Sequence, residues 1–259
     1  SRRQRQMCIR DRDYTVQTNG LLLSKENYIK LQENGIGFGI SLDGNKEVHD
    51  SHRVDLKGNK TFDNLINRLE DIRKIDPECK FSTLSVNSMY TLEHIEESVR
   101  YLVEEQGIEF LKFNLVHPNG EDFDWNMLIK KEDMEKFATK LFNAVINENK
   151  KGYAVTEANI KTKILNIINQ SENDLCHTNG CKGGRKFISF SQDGNIYPCE
   201  MIGSEINCLG NIYDGNDLAD LIDKALTTKP YFKEKKNEKC DSCPYSVSYT
   251  HLTLPTTSR

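Results

Sequence analysis

The first half of the chain alternates short apolar segments with longer segments in which apolar residues recur every three or four positions. The short segments predict strands and the longer ones predict amphipathic helices, because these are the spacings at which side chains share a face. Strands are predicted at residues 14–17, 38–42, 81–86 and 110–115. Alternating strands and helices indicate parallel βαβ units, so we expect an α/β fold in which these short strands form one sheet.

The intervening segments carry helix signals. Ser24 is a suitable N-cap, and the helix that it begins is predicted to end at Gly35, where glycine tolerates a left-handed conformation. From about Lys130 the pattern changes to helices followed by a hairpin that turns at residues 193–194, which are Asp-Gly. The other helices are predicted around residues 62–72, 92–102, 134–145 and 160–168, and a polar loop is predicted between the second strand and the helix at residue 62.

Composition places the chain among soluble globular proteins. Hydrophobic residues make up 37% and charged residues 29% of 259 residues, which is enough to bury a core. No apolar run has membrane-spanning length. The formal net charge is −4 at pH 7, and an acidic balance argues against nucleic acid as a partner. We therefore expect neither a nucleic-acid partner nor a membrane partner.

The two ends of the chain are related through the genetic code. Permitted codons exist that make residues 247–256 the reverse complement of residues 2–11, and both strings resemble translated sequencing-library adapters. The alternative is a basic arm and a polar tail. We expect residues 1–12 and 247–259 to be artefacts without a folded partner. The native segment, about residues 13–246, would then be part of a longer protein, with 29 basic and 38 acidic residues and a net charge of −9.

Polar residues follow the predicted strands at the ends where parallel βα folds bind ligands. Residues 17–20 are Gln-Thr-Asn-Gly, residues 41–44 are Ser-Leu-Asp-Gly, and Asn87 follows the third strand. His-Asp at residues 49–50 and then Arg53 come a short distance after the second strand. Asn-Gly and Asp-Gly are common turn formers, so each motif alone is compatible with an ordinary turn. Their recurrence at successive strand ends favours a binding site.

The last third of the chain carries cysteines at metal-ligand spacing. Twelve residues separate Cys181 from Gly194, four separate Gly194 from Cys199, and Cys240 and Cys243 form a Cys-x2-Cys pair. Thiolates bind iron or zinc, and the glycine permits a sharp turn between the ligands. Secreted disulfide scaffolds are shorter and denser in cysteine, so the pattern favours metal ligation in a reducing, cytoplasmic compartment. Structural zinc remains the alternative to iron.

These cysteines, together with the strand-end motifs, resemble the radical S-adenosylmethionine enzymes that carry a SPASM auxiliary-cluster domain. Residues 17–53 look especially like sulfatase-maturing enzymes and peptide maturases. The resemblance implies a partial (β/α)6 barrel at residues 13–130 that lacks its first strands. It further implies a helical connection at residues 131–175 and a truncated SPASM domain at residues 176–246.

The resemblance also implies roles for the strand-end residues. Ser41 and Arg53 would hold the ribose and the carboxylate of S-adenosylmethionine, and an arginine fork suits a carboxylate because it can bind both oxygens. Residues 49–50 would order the loop that positions Arg53. The remaining residues of the implied site are Gln17, Asn19 and Asn87, which would line the pocket, and Asp43, which would order its loop.

Iron–sulfur ligands are implied in the same way, but the sets are incomplete. The auxiliary ligands would be Cys176, Cys181 and Cys199 for one [4Fe–4S] cluster, with Cys240 and Cys243 beginning the second set. The next expected cysteine falls at Tyr249, in the adapter-like end. The Cys-x3-Cys-x2-Cys motif that holds the catalytic cluster does not occur in the sequence, so we expect this chain to be inactive by itself.

Glu200 is the candidate catalytic base, because sulfatase-maturing enzymes have an aspartate directly after the corresponding cysteine. Its longer side chain slightly favours peptide maturases that form thioether or other cross-links, and a solvated surface glutamate is the alternative. Cys208 is predicted to be a small buried residue. The implied reaction uses a 5′-deoxyadenosyl radical to modify a peptide or protein side chain, with ferredoxin or flavodoxin as a possible electron donor. A zinc-stabilised binding module without catalysis is the competing hypothesis.

Overall fold

The computed structural model describes residues 14–117, 123–169, 183–201 and 207–228. The chain divides into two compact units, with the boundary between Ile160 and Lys161. Within the described ranges, every helix is too short or too polar to cross a membrane. The two adapter-like ends lie outside the described residues, so their predicted lack of folded partners stays a prediction. The predicted domain boundaries at residues 130 and 175 also stay predictions.

The first unit contains one parallel sheet, which confirms the predicted α/β class. Its strands are β1 (Tyr14–Thr18), β2 (Ile36–Ile40), β3 (Ser82–Asn87), β4 (Phe110–Leu115) and β5 (Thr156–Glu157). Each strand pairs in parallel with the next one in sequence, so the sheet order is β1-β2-β3-β4-β5. The four predicted strands are therefore adjacent and parallel, as expected. The two-residue β5 was not predicted, because so short a segment has no periodicity to detect.

Helices connect these strands, and a last helix follows β5 and crosses the boundary between the two units. They are α1 (Lys25–Glu33), α2 (Lys46–His52), α3 (Phe62–Ile75), α4 (Ile95–Arg100), α5 (Met134–Lys150) and α6 (Ala158–Asn169). Ser24 caps α1 by accepting a hydrogen bond from the Asn27 N–H, as predicted. The prediction of a polar loop after β2 was wrong, because α2 forms there with Asn45 as its N-cap. Helix α4 follows a 3₁₀ turn at Leu92–His94 and continues into a π-helical segment at Tyr101–Glu105.

The core of the first unit lies between the sheet and its helices. The apolar stripe of α3 is buried at the predicted positions, and Leu65, Leu69 and Ile72 are at most 1% exposed. Ile40 of β2 and Phe113 of β4 belong to the same cluster. Burying one such side chain contributes about 1.5–3 kcal/mol, so this face holds the helices against the sheet.

The second unit contains a small antiparallel sheet and one further helix. The sheet consists of β6 (Ser189–Phe190), β7 (Asn195–Tyr197) and β8 (Gly210–Asn211), and helix α7 spans Leu218–Thr228. The predicted hairpin is present as β6 and β7, and Gly194 forms its turn with a φ of 80°. Strand β8 and helix α7 were not predicted. Ile196, Leu209 and Ala225 form the core of this unit.

Candidate functional site

Polar side chains at the carboxyl ends of β1 and β2 contact each other. Gln17 Nε2 donates a hydrogen bond to Ser41 Oγ at 3.3 Å. Gly39 of β2 pairs with Gln17 in the sheet, and a Cβ atom at Gly39 would collide with the Gln17 side-chain oxygen. The glycine therefore makes room for Gln17 beside Ser41. Sequence reasoning missed Gly39, although a glycine inside a strand commonly marks a close approach.

Arg53 is held by a buried carboxylate. Its Nε donates to Asp43 Oδ2 at 2.6 Å and its Nη2 donates to Asp43 Oδ1 at 2.9 Å. Asp43 is 2% exposed, and its Oδ1 also accepts a hydrogen bond from the Val86 N–H at 2.8 Å. The Arg53 side chain remains 24% exposed. A two-pronged pair of this kind fixes the plane of the guanidinium, so Arg53 has a defined orientation while its side chain stays partly exposed.

The His49–Asp50 pair ties α2 to the segment that precedes α3. His49 Nε2 lies 3.1 Å from Thr61 Oγ1, and the Thr61 hydroxyl donates to the Arg53 carbonyl at 3.2 Å. Asp50 Oδ1 accepts the backbone N–H groups of Thr61 and Phe62. Burial lowers the pKa of His49 to about 4, so the ring is neutral at pH 7. These contacts agree with the loop-ordering role expected for the pair.

The two asparagines of the predicted site differ in accessibility. Asn87 is 2% exposed, and its Nδ2 donates to the Asn114 carbonyl at 3.2 Å. Asn19 is exposed, and its Oδ1 accepts the Leu21 N–H at 3.2 Å. Of the six predicted cofactor residues, the structure therefore leaves Gln17, Asn19, Ser41 and Arg53 accessible and buries Asp43 and Asn87. The ligand-binding role of each residue stays a prediction.

A second polar group beside the strand ends was missed by sequence reasoning. His52 Nε2 lies 2.7 Å from the oxygen of the fully buried Ser88 hydroxyl, and burial lowers the pKa of His52. The Tyr90 ring lies 6.0 Å from the His52 ring and 5.8 Å from the His94 ring, centroid to centroid. The only sequence signal for these two residues was their position next to predicted site residues, since His52 precedes Arg53 and Ser88 follows Asn87.

The described part of the cysteine-bearing module shows Cys199 and Glu200. Cys199 is buried after β7, and its sulfur accepts the Met201 N–H at 3.3 Å. Glu200 is exposed. Cys208, predicted to be buried, is partly buried, and its thiol donates to the Gly210 carbonyl. In the described ranges, no group of three or more metal-ligating side chains occurs. The other proposed ligands, Cys176, Cys181, Cys240 and Cys243, lie outside the described residues, so their convergence stays a prediction.

Known proteins match both units of the chain. Residues 181–244 match the SPASM family, described as an iron-sulfur cluster-binding domain. A cysteine-type anaerobic sulfatase-maturating enzyme of Clostridium perfringens is 28% identical over 239 residues, which cover 90% of this chain and 59% of that protein. Its counterpart in Clostridium novyi is 24% identical over 236 residues, covering 89% and 60% of the two chains.

Solved structures of the same group of proteins are also similar to this chain. The structure described as native anSMEcpe with bound AdoMet matches with a TM-score of 0.71 and 26% sequence identity, covering 90% of this chain and 62% of that chain. A related structure with bound AdoMet and the Cp18Cys peptide also has a TM-score of 0.71. This chain therefore spans about three fifths of the length of the proteins that it matches.

The parallel sheet with polar strand ends, the SPASM match and the similar solved structures together support the class of radical S-adenosylmethionine proteins with a SPASM domain. The similar proteins named above are of the sulfatase-maturase kind, and they support the same kind for this chain. The resemblance predicted from the sequence is thus confirmed. The SPASM match and the AdoMet-bound neighbours also support [4Fe–4S] clusters and S-adenosylmethionine as cofactors of this class.

Proposed function

We propose that this chain is part of an enzyme that modifies a side chain of a peptide or protein by radical S-adenosylmethionine chemistry. The observation that carries the proposal is the accessible Gln17–Ser41 pair at the strand ends, together with the partly exposed Arg53 that Asp43 holds. The fold that contains them matches AdoMet-bound structures over 90% of the chain. Maturation of a sulfatase, by conversion of a side chain to formylglycine, is the favoured reaction. The named relatives support it over thioether or other cross-link formation, which the length of Glu200 had slightly favoured.

The described residues fit the nucleoside and amino-acid parts of the cofactor. The Ser41 hydroxyl and the Gln17 amide lie together above Gly39, where they can hydrogen-bond ribose hydroxyls. The Arg53 guanidinium uses Nε and Nη2 for Asp43, and its remaining N–H groups can bind a carboxylate through two hydrogen bonds. When bound, the cofactor and a reduced [4Fe–4S] cluster would supply a 5′-deoxyadenosyl radical that abstracts a hydrogen atom from the substrate.

Glu200 is the proposed proton acceptor. Its carboxylate is exposed in the described structure and directly follows Cys199, a proposed auxiliary-cluster ligand. A base is needed because the substrate radical must lose a proton and an electron to become a carbonyl or thiocarbonyl group. The auxiliary clusters are the proposed acceptors of that electron, and an external donor such as ferredoxin or flavodoxin would supply the electron that begins the reaction.

We further propose that the chain alone cannot begin the reaction, because its sequence contains no Cys-x3-Cys-x2-Cys motif. The catalytic cluster would be held by a part of the longer protein that this sequence does not include. The proposed ligands that are present, Cys176, Cys181 and Cys199 with Cys240 and Cys243, would retain at most incomplete auxiliary sites.

Anaerobic reconstitution with iron and sulfide tests the cluster assignment. We expect the purified chain to become brown and to retain iron and sulfide on a desalting column. Cys199→Ser should lower the retained iron severalfold, whereas the control Cys208→Ser should not, since the Cys208 thiol contacts the Gly210 carbonyl. A colourless protein that retains zinc would support the zinc-stabilised binding module instead. The proposed reaction itself is checked with the longer protein, which should form 5′-deoxyadenosine and convert a sulfatase peptide to its aldehyde.

A further inference from the structure

We propose that Asp43 is a positioning residue for cofactor binding, because it turns the Arg53 guanidinium so that the edge formed by Nη1 and Nη2 receives the carboxylate of S-adenosylmethionine. The inference rests on the proposed function. It adds which edge of the Arg53 guanidinium binds the carboxylate and which residue orients that edge.

Asp43 is held just after the point where the pairing of β2 with β3 ends. Strands β2 and β3 pair only at Gly39↔Ser82 and Ile40↔Thr83. Beyond Ile40, side chains make the contacts, since Ser85 Oγ donates to the Leu42 carbonyl at 2.8 Å and the Val86 N–H donates to Asp43 Oδ1 at 2.8 Å. The Asp43 carboxylate thus replaces a backbone acceptor of the sheet ladder. Its position is set by β3, and it is almost fully buried.

Both the backbone and the side chain of Arg53 are held by hydrogen bonds. Its backbone N–H donates to the His49 carbonyl at 3.0 Å, and its carbonyl accepts the Thr61 hydroxyl. Asp43 binds the Nε and Nη2 side of the guanidinium. A guanidinium has five N–H donors in a fixed plane, so this pairing leaves the Nη1–Nη2 edge for a second carboxylate. In the described part of the chain, no hydrogen bond uses Nη1.

Two effects of Asp43 oppose each other. Its negative charge repels a ligand carboxylate, but the cation lies between the two anions and reduces that repulsion. Its two hydrogen bonds also remove the freedom of a long, flexible side chain before the ligand binds. If positioning is the larger effect, moving the Asp43 carboxylate should weaken binding even when its charge is kept. That expectation separates a positioning residue from a mere charge.

The experiment compares two ligands on the purified 259-residue chain by ligand-observed NMR titration. S-Adenosylmethionine carries the carboxylate, whereas 5′-methylthioadenosine lacks the whole aminocarboxypropyl group. We expect Asp43→Asn and Asp43→Glu each to lower affinity for S-adenosylmethionine roughly tenfold, as for residues that orient metal ligands. Affinity for 5′-methylthioadenosine should stay within about twofold, because its binding does not use the carboxylate contact.

Asp76→Asn is the matched control. Asp76 accepts a hydrogen bond from the Tyr28 hydroxyl and precedes β3, so it lies at the opposite end of the strands from Asp43. It should leave the affinity ratio of the two ligands unchanged. The Arg53 side-chain Nε–H resonance gives a second readout, since its exchange with water should be slow in the wild type and in Asp76→Asn and fast in Asp43→Asn. Thermal melts identify any variant that is unfolded. If Asp43→Asn does not fold, the charge-retaining Asp43→Glu alone tests the positioning role.

The outcomes separate the two proposals. The ratio to compare is the affinity for S-adenosylmethionine divided by the affinity for 5′-methylthioadenosine. If this ratio is unchanged or raised in both folded Asp43 variants, the positioning role is overturned while the cofactor site stands. A wild-type chain that does not distinguish the two ligands, together with no effect of Arg53→Lys, would contradict the cofactor site itself and the inference with it.

Discussion

His49 shows how one buried ring can hold the loop that carries a ligand-binding residue. The Thr61 hydroxyl donates to the Arg53 carbonyl, so His49 must donate its own Nε2 proton to Thr61 Oγ1. The Nδ1 atom is then an unprotonated acceptor, and it has no hydrogen-bond partner in the described part of the chain. Protonation would place a buried charge beside Arg53, which explains why the folded state disfavours it.

Stability should therefore fall as the pH is lowered towards the folded pKa of His49. That pKa is about 4, against 6.5 for an ordinary histidine, so the unfolded chain binds more protons between these values. We expect His49 to account for a loss of roughly 3 kcal/mol in unfolding free energy from about pH 6.5 to pH 4. Urea denaturation of the wild type and of His49→Gln at several pH values gives the unfolding free energy as a function of pH. The contribution of His49 is the difference between the slopes of the two curves. Parallel curves for the two proteins would contradict the assignment.

At the scale of elements, the Ser-Leu-Asp-Gly segment lets α4 approach the end of β2. Gly44 has a φ of 153°, and a Cβ atom at this position would lie 2.9 Å from the Ser98 Cβ and 3.3 Å from its Cα. A side chain would thus push α4 away from the loop that carries Asp43. The glycine of the motif is needed for helix packing, apart from any turn that it permits.

Gly44→Ala should lower the unfolding free energy by roughly 3 kcal/mol, because backbone strain and overpacking act together. The control is Gly58→Ala, whose φ is 82° and whose added Cβ would meet no atom within 4 Å. That variant should lose only about 1 kcal/mol from strain. Chemical denaturation of the two variants checks the difference, and equal losses would show that contact with α4 is unimportant.

At the scale of the whole molecule, the first sheet ends in an exposed strand. Among the described residues, strand β1 pairs with β2 alone, and its residues Tyr14 and Val16 are 53% and 40% exposed. An unpaired strand edge with apolar side chains can pair with another chain. This arrangement agrees with the expectation of a partial barrel, and the chain covers 62% of the matched AdoMet-bound structure.

The purified chain should associate at its β1 edge as concentration rises. Val16→Lys should reduce this association, because a lysine on an edge strand opposes pairing between chains. Leu56→Lys is the control, since Leu56 is also exposed but lies in the turn after α2. Light scattering over a concentration series measures the effect. A wild-type chain that stays monomeric, or equal effects of the two lysines, would rule out the edge as the cause.

The sequence predicted the elements whose signals are local. The apolar stripe of α3, the Ser24 cap and the turn at Gly194 each follow from residues within a few positions of one another, and the structure confirms them. Strands β5 and β8 have two residues each and exist because a neighbouring strand is present. Helix α2 is seven residues long and polar, so its cap at Asn45 was a weaker signal than the surrounding loop residues.

The sequence by itself determined the class of this protein, because its motifs stand at spacings that only a few chemistries use. Parallel strands bring their carboxyl ends to one edge, so the positions of Gln17 and Ser41 could be inferred without coordinates. Arg53 follows α2, and only the family resemblance pointed to it. Only the tertiary structure decided which of these side chains stay accessible and which partners fix them. Asp43 and Arg53 are ten residues apart, and their pairing depends on Val86 of another strand, whose position is set by packing across the sheet.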